Sequence, residues 1–457
     1  MGKEKKSTIK FQKTKLKGVL KRRKEVNKFK RQIQNRQLRR KGKKVEDNGG
    51  DTNEEKVGET EEVAEEKPQI NTEDYFCNFV IDTDESLELS DDEDDMEEDV
   101  DPTEEVVQLK EDILTGKTKE EKEPLIKKFL TKSVRYLHEF PEDDTIQHIL
   151  ATVESYTKYF GHFPTLAREY LRVLLDCWSD IALLEETRSA CYKAMKYLGT
   201  AAVDSNRRNY MPNVLKGVYL VFAHRATNKI TETSLPVLQQ MLEEAADIYS
   251  IDFRLSHEHA HVYITQLADH LKIAKKRQTV ESFKQIYTWQ YISCLDFWTN
   301  VISVTCDPTV MVMAKAGAES PMQAVVQPLV DLILLTIRLN PTAQFLPLRI
   351  HLLRTLISLL DATGIYVPLA SHMFEILNSD LFKSGHNYPA VDDLPKLNWE
   401  LHLKTPKVYI QTKNYQDIVF ETAYDLILDY YACQGLSIAF PELAIPAVHK
   451  VRQPLRL

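Results

Sequence analysis

Apolar side chains recur every three or four positions from residue 106 onward, and this spacing restricts the fold more than any other feature. One such face consists of Leu166, Tyr170, Val173, Leu174 and Cys177. A second consists of Leu235, Leu238, Met241, Leu242, Ala245 and Ile248. This is the period of a helix face, whereas a half-buried strand would alternate at every second residue. Because only eight glycines occur in these 352 residues, too few for the turns of a sheet-rich fold, the sequence predicts an all-α fold.

The arrangement of these helices favours an extended array. About a dozen apolar runs follow one another through short connections and without a fixed repeat period. Such a pattern is typical of an irregular HEAT/armadillo-like helical-repeat solenoid, and a compact irregular helical domain is the alternative. Pro328 lies inside one run and predicts a kink or a break near Val326. Because helical arrays present long surfaces that bind macromolecules, the fold favours a binding protein over an enzyme.

The first 105 residues differ from the rest in their charge. Residues 1–44 hold 20 Lys and Arg side chains against two acids, and residues 45–105 hold 27 Asp and Glu against two lysines. Segments so charged and so poor in apolar side chains cannot bury enough surface to offset chain entropy. We therefore expect a disordered basic arm over 1–44, a disordered acidic linker over 45–105 and a helical-repeat domain over 106–457.

Two clusters in the basic arm are candidates for nucleic-acid binding or nuclear import. The first consists of Lys21, Arg22, Arg23 and Lys24. The second consists of Arg39, Arg40, Lys41, Lys43 and Lys44. Such cations can neutralise RNA phosphates while the segment folds on RNA, and the two clusters also resemble a bipartite nuclear import signal. A solvated run of charge without a ligand is the alternative.

Ser90 precedes the most acidic part of the linker, residues 91–99. A serine followed directly by acids is a candidate for phosphorylation by an acidophilic kinase. The acidic tract itself can mask the basic arm or bind basic proteins such as ribosomal proteins or histones.

One short motif, His257-Glu258-His259-Ala260-His261, fits the H-E-x-x-H pattern of zinc hydrolases. Spacing of four residues would place His257 and His261 on one helix face as zinc ligands, with Glu258 as general base and Glu281 as a further ligand. The alternative is a partly exposed helix start, which we favour because the stretch is rich in histidine and no third-histidine signature follows. We therefore predict no catalytic residue, metal ligand or cofactor.

A helix dense in aromatic residues is expected from Phe283 to Trp298. Phe283, Tyr287, Tyr291 and Trp298 recur along one stripe of it, at steps of four, four and seven residues and with Trp289 outside the stripe. Aromatic residues dominate the energetics of many protein interfaces, so the stripe is a candidate partner surface. Packing in the core of the domain is the alternative.

A series of short blocks rich in aromatic residues and proline runs through the second half of the chain. They include SHEHAHVYITQLA at 256–268, YTWQY at 287–291, CLDFW at 294–298, RLNPT at 338–342, FLPLR at 345–349, YVPL at 366–369 and IAFPEL at 438–443. In this order they resemble the nucleolar complex protein 2 family, over most of residues 110–450. Family members usually continue past the last block with more helix and a basic tail, so we expect a chain that ends at Leu457 to be C-terminally truncated.

The resemblance implies a helical-repeat scaffold that takes part in assembly of the large ribosomal subunit. It implies heterodimers with sister nucleolar complex proteins, association with pre-ribosomal particles and pre-rRNA, and passage from the nucleolus to the nucleoplasm of the nucleus. It implies no catalytic residue, membrane or small-molecule substrate. A solenoid carrier or chaperone for basic nuclear cargo is the alternative function, and a zinc hydrolase is a third.

Overall fold

The structure is a computed structural model that describes residues 102–115, 119–140, 142–200, 210–226, 230–313, 320–340, 342–382 and 398–452. Helices and short 3₁₀ turns make up the regular structure of these ranges, and none of them contains a strand. All of them belong to one compact unit, residues 70–457. The prediction of an all-α fold is confirmed. The basic arm and residues 45–101 of the acidic linker lie outside the described residues, whereas the last four linker residues belong to the first helix.

The helices vary widely in length. Those of the N-terminal half are α1 (Pro102–Thr115), α2 (Lys119–Glu139), α3 (Asp143–Glu154), α4 (Pro164–Ser179), α5 (Glu185–Thr200), α6 (Met211–Arg225), α7 (Ser234–Tyr249) and α8 (Phe253–Arg277). Those that follow are α9 (Val280–Ile286), α10 (Trp289–Thr305), α11 (Pro308–Met313), α12 (Gln323–Leu339), α13 (Leu346–Thr363), α14 (Ala370–Leu377), α15 (Lys407–Ile410), α16 (Lys413–Cys433) and α17 (Phe440–Arg452). Short 3₁₀ turns cover Thr157–His162, Ala343–Phe345, Asp380–Phe382 and Trp399–Leu401.

The longer helices pack in two rows. In the first row α1, α3, α5, α7, α10, α13 and α16 each contact the next helix of the series. In the second row α2, α4, α6, α8 and α12 do the same, and Arg338 of α12 meets His372 of α14. Further contacts join the rows, such as those between α4 and α5 and between α8 and α10. Two stacked layers of helices with contacts mainly between neighbours are the arrangement of a helical-repeat solenoid, so that prediction is also confirmed.

Helix α10 lies at the centre of this packing. It contacts α6, α7, α8, α12 and α13, and twelve of its seventeen residues are buried. A helix enclosed on several sides needs apolar residues around most of its circumference rather than along one face. This explains why α10 carries a single charged residue, Asp296.

Local sequence determines where several helices begin and end. The Asp252 side chain caps α8 by accepting hydrogen bonds from the backbone amides of Arg254 and Leu255 at 3.0 and 3.1 Å. Helix α13 ends at Gly364, whose φ of 67° lies in the left-handed region that favours glycine.

The predicted break near Val326 is wrong. Helix α12 runs without interruption from Gln323 to Leu339 with Pro328 inside it. Pro328 is exposed and lies in the second turn, where it removes the hydrogen bond that its N–H would donate to the Ala324 carbonyl but does not interrupt the helix. Within the described ranges, no helix has both the length and the apolar character needed to cross a bilayer.

Candidate partner interface

The aromatic stripe from Phe283 to Trp298 is divided between two helices. Helix α9 ends at Ile286, and α10 begins at Trp289 after Thr288, whose hydroxyl accepts a hydrogen bond from the Tyr291 amide. The prediction of a single helix is therefore wrong. It failed because the aromatic spacing continues across a helix boundary, which the capping residue Thr288 signals in the sequence.

Tyr291 and Trp298 of this stripe lie in the core. Trp298 is fully buried, and the Tyr291 hydroxyl donates a hydrogen bond to the Leu267 carbonyl at 3.1 Å. Phe283 and Tyr287 are half-buried, and the Tyr287 ring packs on Phe345 with the ring centroids 4.6 Å apart. Buried side chains cannot contact a partner without opening the fold. The structure therefore corrects the assignment of Tyr291 and Trp298 as a partner surface and supports core packing for them, whereas a partner role of the half-buried Phe283 and Tyr287 stays a prediction.

The H-E-x-x-H motif occupies the N-terminal part of α8. The rings of His257 and His261 are 6.3 Å apart, while Glu258 pairs with Arg254 at 3.4 Å. Glu281 lies in the first turn of α9. Among the residues that the structure describes, no three His, Cys, Asp or Glu side chains come together where a metal ion could be held.

The remaining candidate residues lie outside the described residues. They are the arm residues Lys21, Arg22, Arg23, Lys24, Arg39, Arg40, Lys41, Lys43 and Lys44, together with Ser90 of the linker. Their roles stay predictions from the sequence.

A half-buried polar cluster joins α10 to α13. His351 Nε2 lies 2.7 Å from Asp296 Oδ2, and the Thr355 hydroxyl donates to Asp296 Oδ1 at 2.8 Å. Burial by itself would lower the pKa of His351, but the charge of Asp296 and the hydrogen bond to it outweigh burial and raise that pKa. When His351 is protonated, the cluster therefore holds a pair of opposite charges between two helices of the first row.

This pair predicts a pH dependence of stability. Because the folded state raises the pKa of His351, its contribution is fully present below about pH 6.5 and is lost as pH rises through the higher folded value. We therefore expect the melting temperature of the unmodified chain to fall between about pH 6 and about pH 8.5 as His351 loses its proton. His351→Gln should remove the part of this fall that His351 causes. Thermal unfolding of both proteins across that range measures the effect. Identical slopes would contradict the assignment.

A second polar cluster attaches α14 to α12 and α13. The buried Arg349 donates through Nη2 to Glu375 Oε2 at 2.8 Å, and His372 Nδ1 lies 3.6 Å from the same oxygen. Arg338 Nη2 lies 3.2 Å from His372 Nε2. Burial lowers the pKa of His372, and the nearby Arg338 lowers it further, so His372 is neutral near pH 7.

The terminal helix of the first row exposes an apolar and acidic face. Helix α16 packs against α13 and α14, and its other side carries exposed Tyr424 and Leu428, the latter 52% exposed. Leu436 and Ile438 follow in the next loop and are fully exposed. This surface, which we call the α16 face, also carries four exposed carboxylates at four-residue spacing: Asp417, Glu421, Asp425 and Asp429.

The α16 face is unfavourable for an isolated chain. Like charges four residues apart on a helix destabilise it by roughly 0.2–0.5 kcal/mol per pair. No ion pair to any of the four carboxylates occurs within the described part of the chain. Exposed apolar side chains that adjoin one another are typical of protein interaction sites. The sequence signal, acids at every fourth position, was present but was missed.

Comparison with known proteins identifies the family of this fold. The model of the Noc2p family matches residues 209–456, more than half of the chain. The chain belongs to the Noc2p family. The matched region of this Noc2p chain extends from the residue before Tyr210 through α17 and includes the α16 face and the H-E-x-x-H motif. The resemblance read from the sequence is thereby confirmed.

Curated relatives of this Noc2p chain come from distant eukaryotes. Nucleolar complex protein 2 of Drosophila melanogaster is 28% identical over 330 residues, which cover 72% of this chain and 40% of the fly protein. An uncharacterized NOC2 family protein of Schizosaccharomyces pombe is 26% identical, over 71% of this chain and 44% of its own length. Nucleolar complex-associated protein 2 of Arabidopsis thaliana is 25% identical, over 71% and 40%.

The chain thus spans less than half the length of these relatives. The names of the fly and plant relatives describe nucleolar complex or complex-associated proteins rather than a class of enzymes. Membership of this family supports a nucleolar role.

Proposed function

We propose that the chain is a non-enzymatic scaffold in the nucleolar and nuclear assembly and intranuclear transport of large ribosomal subunit precursors. It binds a sister nucleolar complex protein and pre-ribosomal RNA, and it moves between nucleolus and nucleoplasm. The observation that carries this proposal is the Noc2p-family match over a two-row helical solenoid that ends in the exposed α16 face. Solenoids of this kind use extended surfaces to hold other macromolecules.

The sister protein binds the α16 face through a basic amphipathic helix. Tyr424 and Leu428 lie one turn apart and offer an apolar stripe, while the carboxylates beside them favour Lys and Arg on the incoming helix. A bound helix would continue the first row, in which every earlier helix already contacts a successor. RNA does not suit this surface because its phosphates would meet four carboxylates.

The basic arm binds pre-ribosomal RNA through its phosphates. Deleting residues 1–44 is expected to weaken RNA binding at low salt and to reduce its salt dependence. Each lost phosphate contact removes about 0.7–0.9 from the slope of log affinity against log salt. Fluorescence anisotropy with a labelled RNA hairpin measures both values for the full chain and the shortened chain. A slope that does not change on deletion would contradict a role of the arm.

A carrier for basic nuclear cargo is the second candidate, because the acidic linker and the α16 face both attract basic proteins. Affinity purification from nuclear extract, with and without RNase, separates the two functions. A pre-ribosomal scaffold co-sediments with large-subunit precursors, retains its sister protein and is released from the particles by RNase. A cargo carrier brings down ribosomal proteins or histones whether or not RNase is added.

A further inference from the structure

The two rows of the solenoid carry opposite charge. Helices of the first row hold seven Lys and Arg residues against eighteen Asp and Glu. Helices of the second row, α2, α4, α6, α8, α12 and α14, hold sixteen against ten. The net charge of the whole chain, −9, conceals this separation. The second row is therefore a basic layer on a protein that is acidic as a whole.

Helices α8, α6 and α2 carry the excess of positive charge in the second row. Helix α6 contains Lys216 and Arg225 and no acidic residue. Helix α8 contains five basic residues against Glu258 and Asp269. Its last two turns carry four exposed cations: Lys272, Lys275, Lys276 and Arg277. The two helices are in contact, and the exposed Lys216 is near enough to His259 for its charge to lower the pKa of that imidazole, which burial already lowers.

Stabilisation of the helix itself explains only part of this pattern. Cations in the last turn of a helix interact favourably with the helix dipole, by about 0.3–1 kcal/mol each. That effect accounts for cations at the end of α8. It does not account for Lys216 within α6, a helix with no acidic residue. On α4, the neighbouring helix of the same row, Arg168 and Arg172 are balanced by Glu169 and Asp176.

We infer that the exposed side of α6 and α8, the basic row face, binds RNA phosphates independently of the basic arm. Adjacent packed helices lie about 8–10 Å apart, so cations on two neighbouring helices can contact several phosphates of one extended polyanion. The acidic linker next to the arm lowers the net attraction of the N-terminal region for RNA, whereas the basic row face lies on the folded body. This inference rests on the proposed function for the identity of the polyanion as RNA.

The test compares two matched variants of the full chain. Lys275→Gln with Lys276→Gln removes two exposed cations from the basic row face, and Lys193→Gln with Lys413→Gln removes two exposed cations from the first row. Binding of a fluorescein-labelled RNA hairpin is measured by anisotropy between about 50 and 200 mM salt. We expect the first variant to weaken binding and to reduce the log–log salt slope by about 1.4–1.8, while the control stays within error of the unmodified chain.

The possible outcomes separate this inference from the proposed function. An unchanged slope in the first variant, or an equal reduction in the control, would overturn RNA binding by the basic row face. The proposed scaffold function would still be supported if the unmodified chain binds RNA. Failure of the unmodified chain to bind the hairpin would overturn both. Vesicles containing phosphatidylserine serve as a second polyanion, and an equal loss of binding to vesicles and hairpin would overturn the assignment to RNA. Melting temperatures of all three proteins show whether the variants remain folded.

Discussion

Replacing Trp298 with alanine is expected to lower the free energy of unfolding by about 3–5 kcal/mol, the usual cost of deleting a buried large aromatic side chain. Trp298 is fully buried and lies within a cluster of rings. The centroids of Tyr219, Phe297, Tyr249 and Tyr263 lie 5.1, 5.2, 5.5 and 6.0 Å from that of Trp298. Because these residues come from α6, α7, α8 and α10, the cavity would loosen both rows at once.

Denaturant unfolding followed by circular dichroism measures this loss. Trp298→Phe keeps an aromatic ring and should cost less than the alanine variant, while Trp289→Ala, at a half-buried position, serves as the matched control. If Trp298→Ala unfolded at the same denaturant concentration as the unmodified chain, the packing described for α10 would be wrong.

Replacing Tyr424 and Leu428 together with alanine is expected to abolish recovery of the sister nucleolar complex protein and to leave the melting temperature nearly unchanged. Truncation of an interface hot spot often costs 2 kcal/mol or more, which corresponds to roughly a thirtyfold loss of affinity. Both side chains are exposed, so their removal opens no cavity in the isolated chain. Co-purification of the sister protein and a thermal melt of the variant supply the two measurements.

Two further variants sharpen this test. Glu421→Lys reverses one charge of the α16 face and should weaken partner recovery more strongly at low salt than at high salt. Leu335→Ala changes a leucine that is 43% exposed on α12 of the second row, and it should have no effect on the partner. Full partner recovery by the Tyr424→Ala, Leu428→Ala variant would place the interface elsewhere on the chain.

The sequence was sufficient for the fold class and insufficient for the surfaces. Apolar periodicity depends on residues three and four apart, so it specifies a helix such as α4 without knowledge of its neighbours. Whether an aromatic residue such as Tyr291 faces the core or a partner depends on helices far away in the chain. Tyr291 meets the Leu267 carbonyl, which belongs to another helix, and no local pattern encodes that contact.

The charge separation between the rows was also hidden from the sequence. Charged residues of α7 and α8 follow one another along the chain, and the net charge of the joined segment is near zero. The separation emerges only when the fold assigns alternate helices to different layers. The acids of α16, by contrast, are spaced at four residues and could have been recognised as a helix face from the sequence alone.

The position of α10 has a consequence for how the chain unfolds. In a regular solenoid each repeat touches only its neighbours, so unfolding can begin at one end and proceed by single repeats. Helix α10 instead packs against five helices drawn from both rows, on its N-terminal and its C-terminal side. Opening either side therefore removes contacts that the other side needs, so we expect the middle of this solenoid to unfold as one cooperative block and its ends to fray separately.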